Sequence, residues 1–288
     1  MSKKFTKTVA LICAVCLACV AMCGAVFAEN QTQPGETETD LTDMQIYVDG
    51  LLASRGYLKD GTTYAAMESL LNALGLDADI KWTADESGSA KTMTAAVDGI
   101  EITYTLGDEY LCANGRYIYL PGGCIETQQE VLFPVRSVAK IFTLSLTKDG
   151  EKNIVRIGTE NMAVLEAGKT FYNADNLALL SHIIYAEAGN QPLSGMIGVG
   201  NVVMNRVNST LFPNTIKDVV YAPGQFDPVR NGSINLTPNA LSQVAACLTL
   251  EGYNTVGASL FFHNPGSSTG YLSDSGFVIR IQDHVFLT

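Results

Sequence analysis

The feature that most constrains this chain is residues 181–207, which read SHIIYAEAGNQPLSGMIGVGNVVMNRV. Leu180, Ile183 and Ile184 recur at helical spacing and predict a helix with one apolar face. Gly189, Asn190 and Pro192 then break that helix. The following residues, 196–207, are apolar nearly all round, which is typical of a helix buried on every side. The chain must therefore build a domain around this second, central helix, and its glycines let a neighbour approach closely.

Glu187 is the carboxylate that this pattern singles out. It follows Ile183 and Ile184 by four and three residues, so it lies on their apolar face. An apolar wall disfavours the charged carboxylate and raises its pKa, and a carboxyl that stays protonated near neutral pH can act as a general acid. The alternative is a partly exposed glutamate near a helix end, which periodicity alone does not exclude.

The first 28 residues predict a secretory signal peptide. Lys3, Lys4 and Lys7 precede an apolar run at residues 9–26, and a cleavage site with small residues ends at Ala28. An uncleaved membrane anchor is the alternative. Cleavage would remove three lysines and no acidic residue, which takes the net charge from −11 to −14. We expect a secreted, acidic protein that does not bind nucleic acid.

Three of the seven cysteines, Cys112, Cys124 and Cys247, follow the predicted signal peptide. Cys112 and Cys124 either pair as a disulfide outside the cell or remain buried thiols. Cys247 falls in an apolar helical stripe and is expected in the core. No Cys-x-x-Cys occurs after residue 28, which argues against a zinc ribbon.

Residues 29–43 are polar and acidic and predict a flexible spacer. Residues 44–159 predict one α+β domain, in which Asp98-Gly99 and Asn114-Gly115 each join two strands of a hairpin. The segment YAAMESLLNALG from Tyr64 matches LFPVRSVAKIFT from Leu132 in its apolar positions and one serine. This match suggests a small duplicated domain built from two hairpin-and-helix units.

The same region resembles the copper amine oxidase-like N-terminal domain of exported bacterial proteins. Val48-Asp49-Gly50 and FPVRSVAKIF carry the resemblance over residues 44–159. These residues contain no histidine, so the usual imidazole copper site cannot form there. We expect a non-catalytic module that binds the wall or a protein partner.

Residues 160–176 predict a linker with a short helix, and residues 177–288 a mainly helical domain with a small β element. Asn214 is expected to cap one helix, and Thr237-Pro238 to start another that ends at Gly252. Short strands are expected near residues 259–263, 277–281 and 285–287.

The C-terminal domain holds six carboxylates, of which only Glu187 lies on an apolar helical face. Asp218 suits the first turn of a helix, Asp227 a turn, Asp274 a loop, and Glu251 a solvated helix end. All three histidines, His182, His263 and His284, are also in this domain. Their spacing lacks a His-Glu-x-x-His motif, so we expect neither a metal nor another cofactor. Three glycines at residues 195, 198 and 200 lack the order of a nucleotide-binding loop.

The C-terminal domain resembles the cell wall hydrolase family of the spore cortex-lytic enzymes SleB and CwlJ. The phrases IIYAEAGNQPLSGMIGVGNVVMNRV, FPNTIKDVVYAPGQFDPV, FFHNP and RIQDHVF occur in the family's order. The resemblance implies a lysozyme-like fold that acts on peptidoglycan, and it makes Glu187 the catalytic acid. Gln191 departs from the glutamate of many members, which puts a second catalytic carboxylate in doubt.

The resemblance also implies a glycan-binding groove. Its candidate residues are Gln225, Phe226 and Tyr271, while His263 and His284 either line the groove or make structural hydrogen bonds. The expected activity is that of a lytic transglycosylase acting at the cell wall or in the spore cortex. The alternatives are a muramidase with Asp227 or another acid as its base, an N-acetylmuramoyl-amidase, and a wall-binding protein without activity.

Overall fold

The computed structural model describes residues 41–86, 88, 90–265 and 276–288 of the 288-residue chain. The predicted signal peptide and residues 29–40 of the predicted spacer lie outside the described residues. Tyr271 also lies outside them. Within the described ranges, no helix is both long enough and apolar enough to cross a bilayer.

The fold is α+β, with a sheet-rich first half and a mainly helical second half, as the sequence predicts. The first half contains the following elements: β1 (Thr42–Val48), β2 (Leu51–Lys59), β3 (Thr62–Ala66), α1 (Met67–Ala73), β4 (Ala78–Ala84), β5 (Lys91–Val97), β6 (Ile100–Thr105), β7 (Tyr110–Ala113), β8 (Arg116–Tyr119), β9 (Ile125–Glu126), β10 (Val131–Pro134), α2 (Val135–Ile141), β11 (Ser145–Asp149) and β12 (Ile154–Gly158).

Two sheets share these strands. One has seven strands in the order β11-β12-β1-β2-β3-β10-β9, and the other is a meander from β4 to β8. Both predicted hairpin turns are confirmed, because Asp98-Gly99 and Asn114-Gly115 all have positive φ. Asp49-Gly50 and Asp60-Gly61 adopt the same geometry at the ends of β2.

The two matching segments lie next to each other in the seven-stranded sheet. β3 and β10 pair antiparallel, and Ala65 faces Phe133, its counterpart in the sequence match. Tyr64 faces Pro134, and Leu132 faces Ala66, so the pairing is symmetric about the Ala65–Phe133 pair. Each strand runs directly into its helix, α1 or α2. The sheet therefore has a local twofold symmetry, as two copies of one strand–helix unit would produce.

The second half contains the following elements: α3 (Gly168–Phe171), α4 (Ala174–Ala188), α5 (Leu193–Val207), α6 (Ile216–Tyr221), α7 (Asp227–Asn231), a 3₁₀ turn (Ser233–Asn235), α8 (Ala240–Leu250), β13 (Phe261–His263), β14 (Phe277–Ile281) and β15 (His284–Leu287). The three strands form one small antiparallel sheet in the order β13-β15-β14.

Helix α5 is the centre of this half. Its residues from Met196 to Val203 are all buried, and it packs against α4, α6 and α8. Gly198 and Gly200 allow these close contacts: a Cβ on Gly200 would lie 2.4 Å from Thr249 Oγ1. The prediction of a central helix with close neighbours is confirmed.

Three local expectations were wrong. Thr215, not Asn214, caps α6, because its hydroxyl accepts a hydrogen bond from the amide of Asp218. Asn239 caps α8 by accepting from the Ser242 amide, so that helix begins after Thr237-Pro238. Asp227 lies in the first turn of α7 rather than in a non-helical turn.

Glu251 is also placed differently from the expectation. Instead of being solvated, its side chain is fully buried against the first half of the chain. It accepts hydrogen bonds from Arg116 on β8 and from the Tyr172 hydroxyl. The tyrosines of β7 and β8, among them Tyr117, pack on the core of the second half. The two halves thus share a built interface.

Candidate active site

Glu187 lies in the last turn of α4. Asn173 caps the start of this helix by accepting a hydrogen bond from the Asn176 amide. Leu180, Ile183 and Ile184 anchor the apolar face of the helix, because all three are fully buried. Glu187 shares that face but is only partly buried, and α4 ends directly after it at Ala188. The carboxyl therefore lies at the edge of the core rather than inside it.

The surroundings of Glu187 raise its pKa to about 7. Burial is the main cause, since it disfavours the charged form, and the negative charge of Asp227 adds to it. The positive charge of Arg206 acts in the opposite direction. A substantial fraction of Glu187 is consequently protonated at neutral pH and able to donate a proton.

Arg206 is a site residue that the sequence analysis missed. It lies in the last turn of α5 and is only 4% exposed. Its guanidinium carbon lies 5.1 Å from the ring centres of Phe212 and Phe226, and 5.6 Å from that of Phe261. The signal in the sequence was an arginine near the end of a helix that is apolar nearly all round.

The three residues around Phe226 have different environments. Phe226 is buried, and its ring packs on the guanidinium of Arg206. Gln225 is exposed. Asp227 is also exposed, and its carboxylate accepts a hydrogen bond of 2.8 Å from Arg230. The structure thus brings Asp227 into the surroundings of Glu187 and packs Phe226 against Arg206, while Gln225 is free to contact solvent.

His263 and His284 lie on the small sheet. His284 is buried, with its ring 5.3 Å from that of Phe262, and burial lowers its pKa. His263 is part-buried on β13. One ring nitrogen of each, Nε2 of His263 and Nδ1 of His284, is buried without a hydrogen-bond partner. Within the described residues, no hydrogen bond or ring contact joins either histidine to Glu187.

Gln191 forms a clamp with Asp283 in the turn between β14 and β15. Its Nε2 donates to Asp283 Oδ2 at 3.1 Å, and its Oε1 accepts from the Asp283 amide at 3.2 Å. Gln191 is 5% exposed. Gln191 therefore ties the α4–α5 turn to the small sheet.

Cys112, Cys124 and Cys247 are free thiols. Cys247 is buried in α8, as expected for a core residue, and burial raises its pKa to about 12. No three histidine, cysteine, aspartate or glutamate side chains cluster as metal ligands within the part of the chain that the structure describes.

Two family models match the chain. Residues 190–287 match Cell Wall Hydrolase, and residues 51–157 match the copper amine oxidase N-terminal domain. Glu187 lies three residues before the range that matches Cell Wall Hydrolase.

Several relatives carry a similar segment. The spore cortex-lytic enzyme of Oceanobacillus iheyensis is 32% identical over 40% of this chain and 42% of its own length. The catalytic domain of the Bacillus cereus SleB protein is 30% identical, with 41% of this chain and 92% of that chain covered and a TM-score of 0.39. The catalytic domain of the germination-specific lytic transglycosylase SleB of Bacillus anthracis is 28% identical, with 43% and 100% covered and the same TM-score.

The chain spans less than half the length of the curated relative named above. The match to Cell Wall Hydrolase is confined to residues 190–287. The match to the copper amine oxidase N-terminal domain precedes it, at residues 51–157. The chain therefore contains a segment that matches the cell wall hydrolase family at residues 190–287, and one that matches the copper amine oxidase N-terminal domain at residues 51–157.

Proposed function

We propose that this protein degrades peptidoglycan as a lytic transglycosylase, with Glu187 as its single acid and base. The observation that carries the proposal is the partly buried Glu187 carboxyl, whose pKa is raised to about 7. It stands three residues before a segment of the cell wall hydrolase family. The names of the relatives, spore cortex-lytic enzyme and lytic transglycosylase, support the same chemistry.

The proposed reaction needs only one carboxyl group. Protonated Glu187 donates its proton to the oxygen of the MurNAc-β-1,4-GlcNAc bond, and the C1–O4 bond breaks with its electron pair on that oxygen. The carboxylate then accepts the proton of the muramyl C6 hydroxyl as O6 attacks C1. A 1,6-anhydro ring closes, and Glu187 is protonated again. The nucleophile is intramolecular, so no second group has to activate water.

Plain hydrolysis is the second candidate, because Asp227 lies close enough to Glu187 to raise its pKa. In that muramidase reaction, Asp227 would activate a water molecule. Two observations favour the transglycosylase instead. Asp227 is exposed and already bound to Arg230, and Gln191, at the position where the family resemblance implies a glutamate, carries an amide that cannot serve as a base.

The test is mass spectrometry of the products that residues 29–288 release from purified peptidoglycan, with Glu187→Gln alongside. Anhydromuropeptides from the wild type and a loss of ~10²-fold or more in the variant support the proposal. Reducing-end muropeptides would indicate a muramidase, and free stem peptides an amidase. Binding without release would indicate a wall-binding protein.

We also propose that the protein acts outside the cell, on the wall or the spore cortex. The expected signal peptide and the names of the relatives support this location. Residues 44–159 would bind the wall or a protein partner. Incubation with sacculi from vegetative cells and with cortex from spores separates the two substrates.

A further inference from the structure

A cleft of about 570 Å³ lies where the two halves of the chain meet. The first half contributes Gly115 and Tyr117 from the β7–β8 hairpin, and the second half contributes residues of α3, α4 and α8. Its volume falls in the range of about 300–1,000 Å³ that is typical of ligand pockets, which often lie between domains. His182 lines the cleft and precedes Glu187 by five residues, which places it on a different face of α4. The cleft is therefore a second site, separate from the candidate acid.

Direct contacts between the two halves hold the walls of the cleft in place. The amide of Gly168, at the start of α3, donates to the Asn114 carbonyl oxygen at 2.9 Å. The Tyr117 amide donates to the Tyr172 hydroxyl at 3.3 Å. A Cβ on Gly168 would overlap the Gly115 carbonyl oxygen, so α3 lies directly against the hairpin turn. The cleft is thus formed without a ligand, and a preformed wall reduces the cost of ordering on binding.

The lining of the cleft is mostly apolar and has few free polar groups. Its apolar side chains on the helices are those of Ala174, Leu177, Ala178, Pro238 and Cys247. Two hydroxyl groups are already engaged, because Ser181 donates to a carbonyl oxygen of its own helix and Tyr172 donates to Glu251, each at 2.7 Å.

The polar side chains that remain are those of Tyr117, Lys169, His182 and Gln243. Among the described residues, Nδ1 of His182 is buried without a hydrogen-bond partner, which is rare in folded proteins. A sugar carries a hydroxyl group on almost every ring carbon, and each buried hydroxyl needs a partner. An apolar lining with so few free partners therefore suits a short peptide better than a glycan strand.

The charges around the cleft also match a peptide. A smaller cavity of about 260 Å³ adjoins the cleft, because Tyr117 and Gln243 line both. Apart from the titratable His182, each cavity has one charged side chain: the exposed Lys169 in the cleft and Asp108 in the smaller cavity. Among the described residues, neither forms an ion pair. A cation in one cavity and an anion in the next are complementary to a ligand with both a carboxylate and an amine.

We propose that this cleft binds the stem peptide of peptidoglycan, with Lys169 pairing with its terminal carboxylate and Asp108 with the amine of its diamino acid. The proposal rests on the proposed function only in taking peptidoglycan as the substrate. The stem peptide carries both charged groups, whereas the N-acetylated sugars of the glycan strand carry neither. The peptide is held and not cleaved. Because both halves build the cleft, the first half acquires a direct role in holding the substrate.

The test is isothermal titration calorimetry of residues 29–288 with three probes. They are the pentapeptide L-Ala-γ-D-Glu-L-Lys-D-Ala-D-Ala, the same peptide with a C-terminal amide, and the sugar chitotetraose. The free acid should bind about threefold or more tightly than the amide, which lacks the charge that pairs with Lys169. Chitotetraose should not displace it. No binding of the free acid, equal binding of the two peptides, or displacement by chitotetraose would each overturn the proposal.

Two variants test whether the peptide binds in the cleft. Lys169→Met removes the cation, and Ala178→Trp fills the cleft with a large ring; both positions are exposed, so the fold should be kept. Each should weaken the free acid by about threefold or more, whereas Lys169→Met should leave the amide unaffected, because that pair is already absent. Lys217→Met is the control, since it removes an exposed lysine of α6 that does not line the cleft. Binding of the free acid that is unchanged in either cleft variant would overturn the proposal.

Glu187→Gln separates this proposal from the proposed function. The variant lacks the candidate acid but keeps the cleft, so it should bind the pentapeptide as the wild type does. Binding by a wild type that releases no anhydromuropeptides would support the cleft and contradict the transglycosylase alone. Release of anhydromuropeptides without binding of the pentapeptide would overturn the cleft alone.

Discussion

Arg116 and Glu251 join the two halves of the chain by two parallel hydrogen bonds, each 2.7 Å long. The Glu251 side chain is fully buried, and that of Arg116 is 10% exposed. The hydroxyl of Tyr172 donates to the same carboxylate, and the Lys140 ammonium lies 3.4 Å from it. One carboxylate at the end of α8 thus contacts β8, α2 and the linker, and this charged cluster forms part of the interface.

The first prediction concerns the removal of that carboxylate. Glu251→Gln should lower the free energy of unfolding by about 3–5 kcal/mol, because Arg116 is then left buried without its counter-ion. Urea denaturation of the full chain measures the change. The control is Asp43→Asn, which breaks an exposed pair with Arg55 and should cost no more than about 1 kcal/mol. Equal effects of the two variants would contradict a buried ionic interface.

The same cluster predicts an acid-sensitive interface. Burial by itself would raise the pKa of Glu251, but hydrogen bonds from Arg116 and Tyr172 and the charges of Arg116 and Lys140 outweigh it and lower the pKa. A carboxyl with a lowered pKa contributes stability above its unfolded pKa, about 4.3, and loses it as the pH falls further. Wild-type stability should therefore fall below about pH 4 more steeply than that of Glu251→Gln.

The expectation for Glu251 shows why part of the fold could not be predicted. A glutamate one residue before a helix-ending glycine is usually solvated, and only the distant β8 and α2 bury it here. By contrast, the Asp98-Gly99 and Asn114-Gly115 turns depend on local backbone geometry, so their sequences predicted them. Asp49-Gly50 and Asp60-Gly61 carried the same signal and form the same turns.

The candidate site also combines features that the sequence predicts with features that depend on tertiary packing. The spacing from Ile183 and Ile184 predicted that Glu187 shares a buried helical face, because periodicity within one helix is local. The neighbours that tune this carboxyl, Arg206 and Asp227, come from α5 and α7, and their proximity depends on tertiary packing. The partner of Gln191 lies 92 residues further along the chain, and no spacing rule reaches that far.

The second prediction concerns the Gln191–Asp283 clamp. Gln191→Glu would place two carboxyl groups at hydrogen-bond distance, where like charges raise the pKa of the pair. A raised pKa contributes stability that is present at low pH and lost as the pH rises. The variant should match the wild type near pH 4 (close to the unfolded carboxyl pKa) and unfold at a lower temperature near pH 8.

Thermal unfolding at both pH values measures this difference. Gln128→Glu is the control, because Gln128 is exposed and its substitution should change little at either pH. A variant as stable as the wild type near pH 8 would mean that the clamp does not hold the turn.

The third prediction concerns how Glu187, the candidate acid, makes the free energy of unfolding depend on pH. The pKa of Glu187 is about 7 against an ordinary 4.5, so protonated Glu187 contributes its full share of stability in acid. The folded protein loses this contribution as the pH rises through 7. Glu187→Gln has no such group. Between pH 4 and pH 8, the free energy of unfolding of the variant should rise relative to that of the wild type by about 1–3 kcal/mol (1.36 kcal/mol per pKa unit, reduced for partial exposure).

Denaturation series across that pH range measure the gain. The control, Glu130→Gln, changes an exposed glutamate and should show no trend with pH. A parallel pH dependence in Glu187→Gln and the wild type would show that the carboxyl is not tuned by its surroundings.

The fourth prediction tests the close packing of the central helix. A Cβ at position 198 would lie 2.8 Å from Phe286 Cζ and from Val256 Cγ1, both parts of buried side chains. Gly198→Ala should therefore lower the free energy of unfolding, because overpacking costs about 1–3 kcal/mol and outweighs the ~1 kcal/mol that alanine gains over glycine in a helix. Gly150→Ala is the matched control, because a Cβ there meets no atom within 4 Å. Thermal unfolding should separate the two variants, and a Gly198→Ala protein as stable as the control would mean that α5 and the small sheet can move apart at little cost.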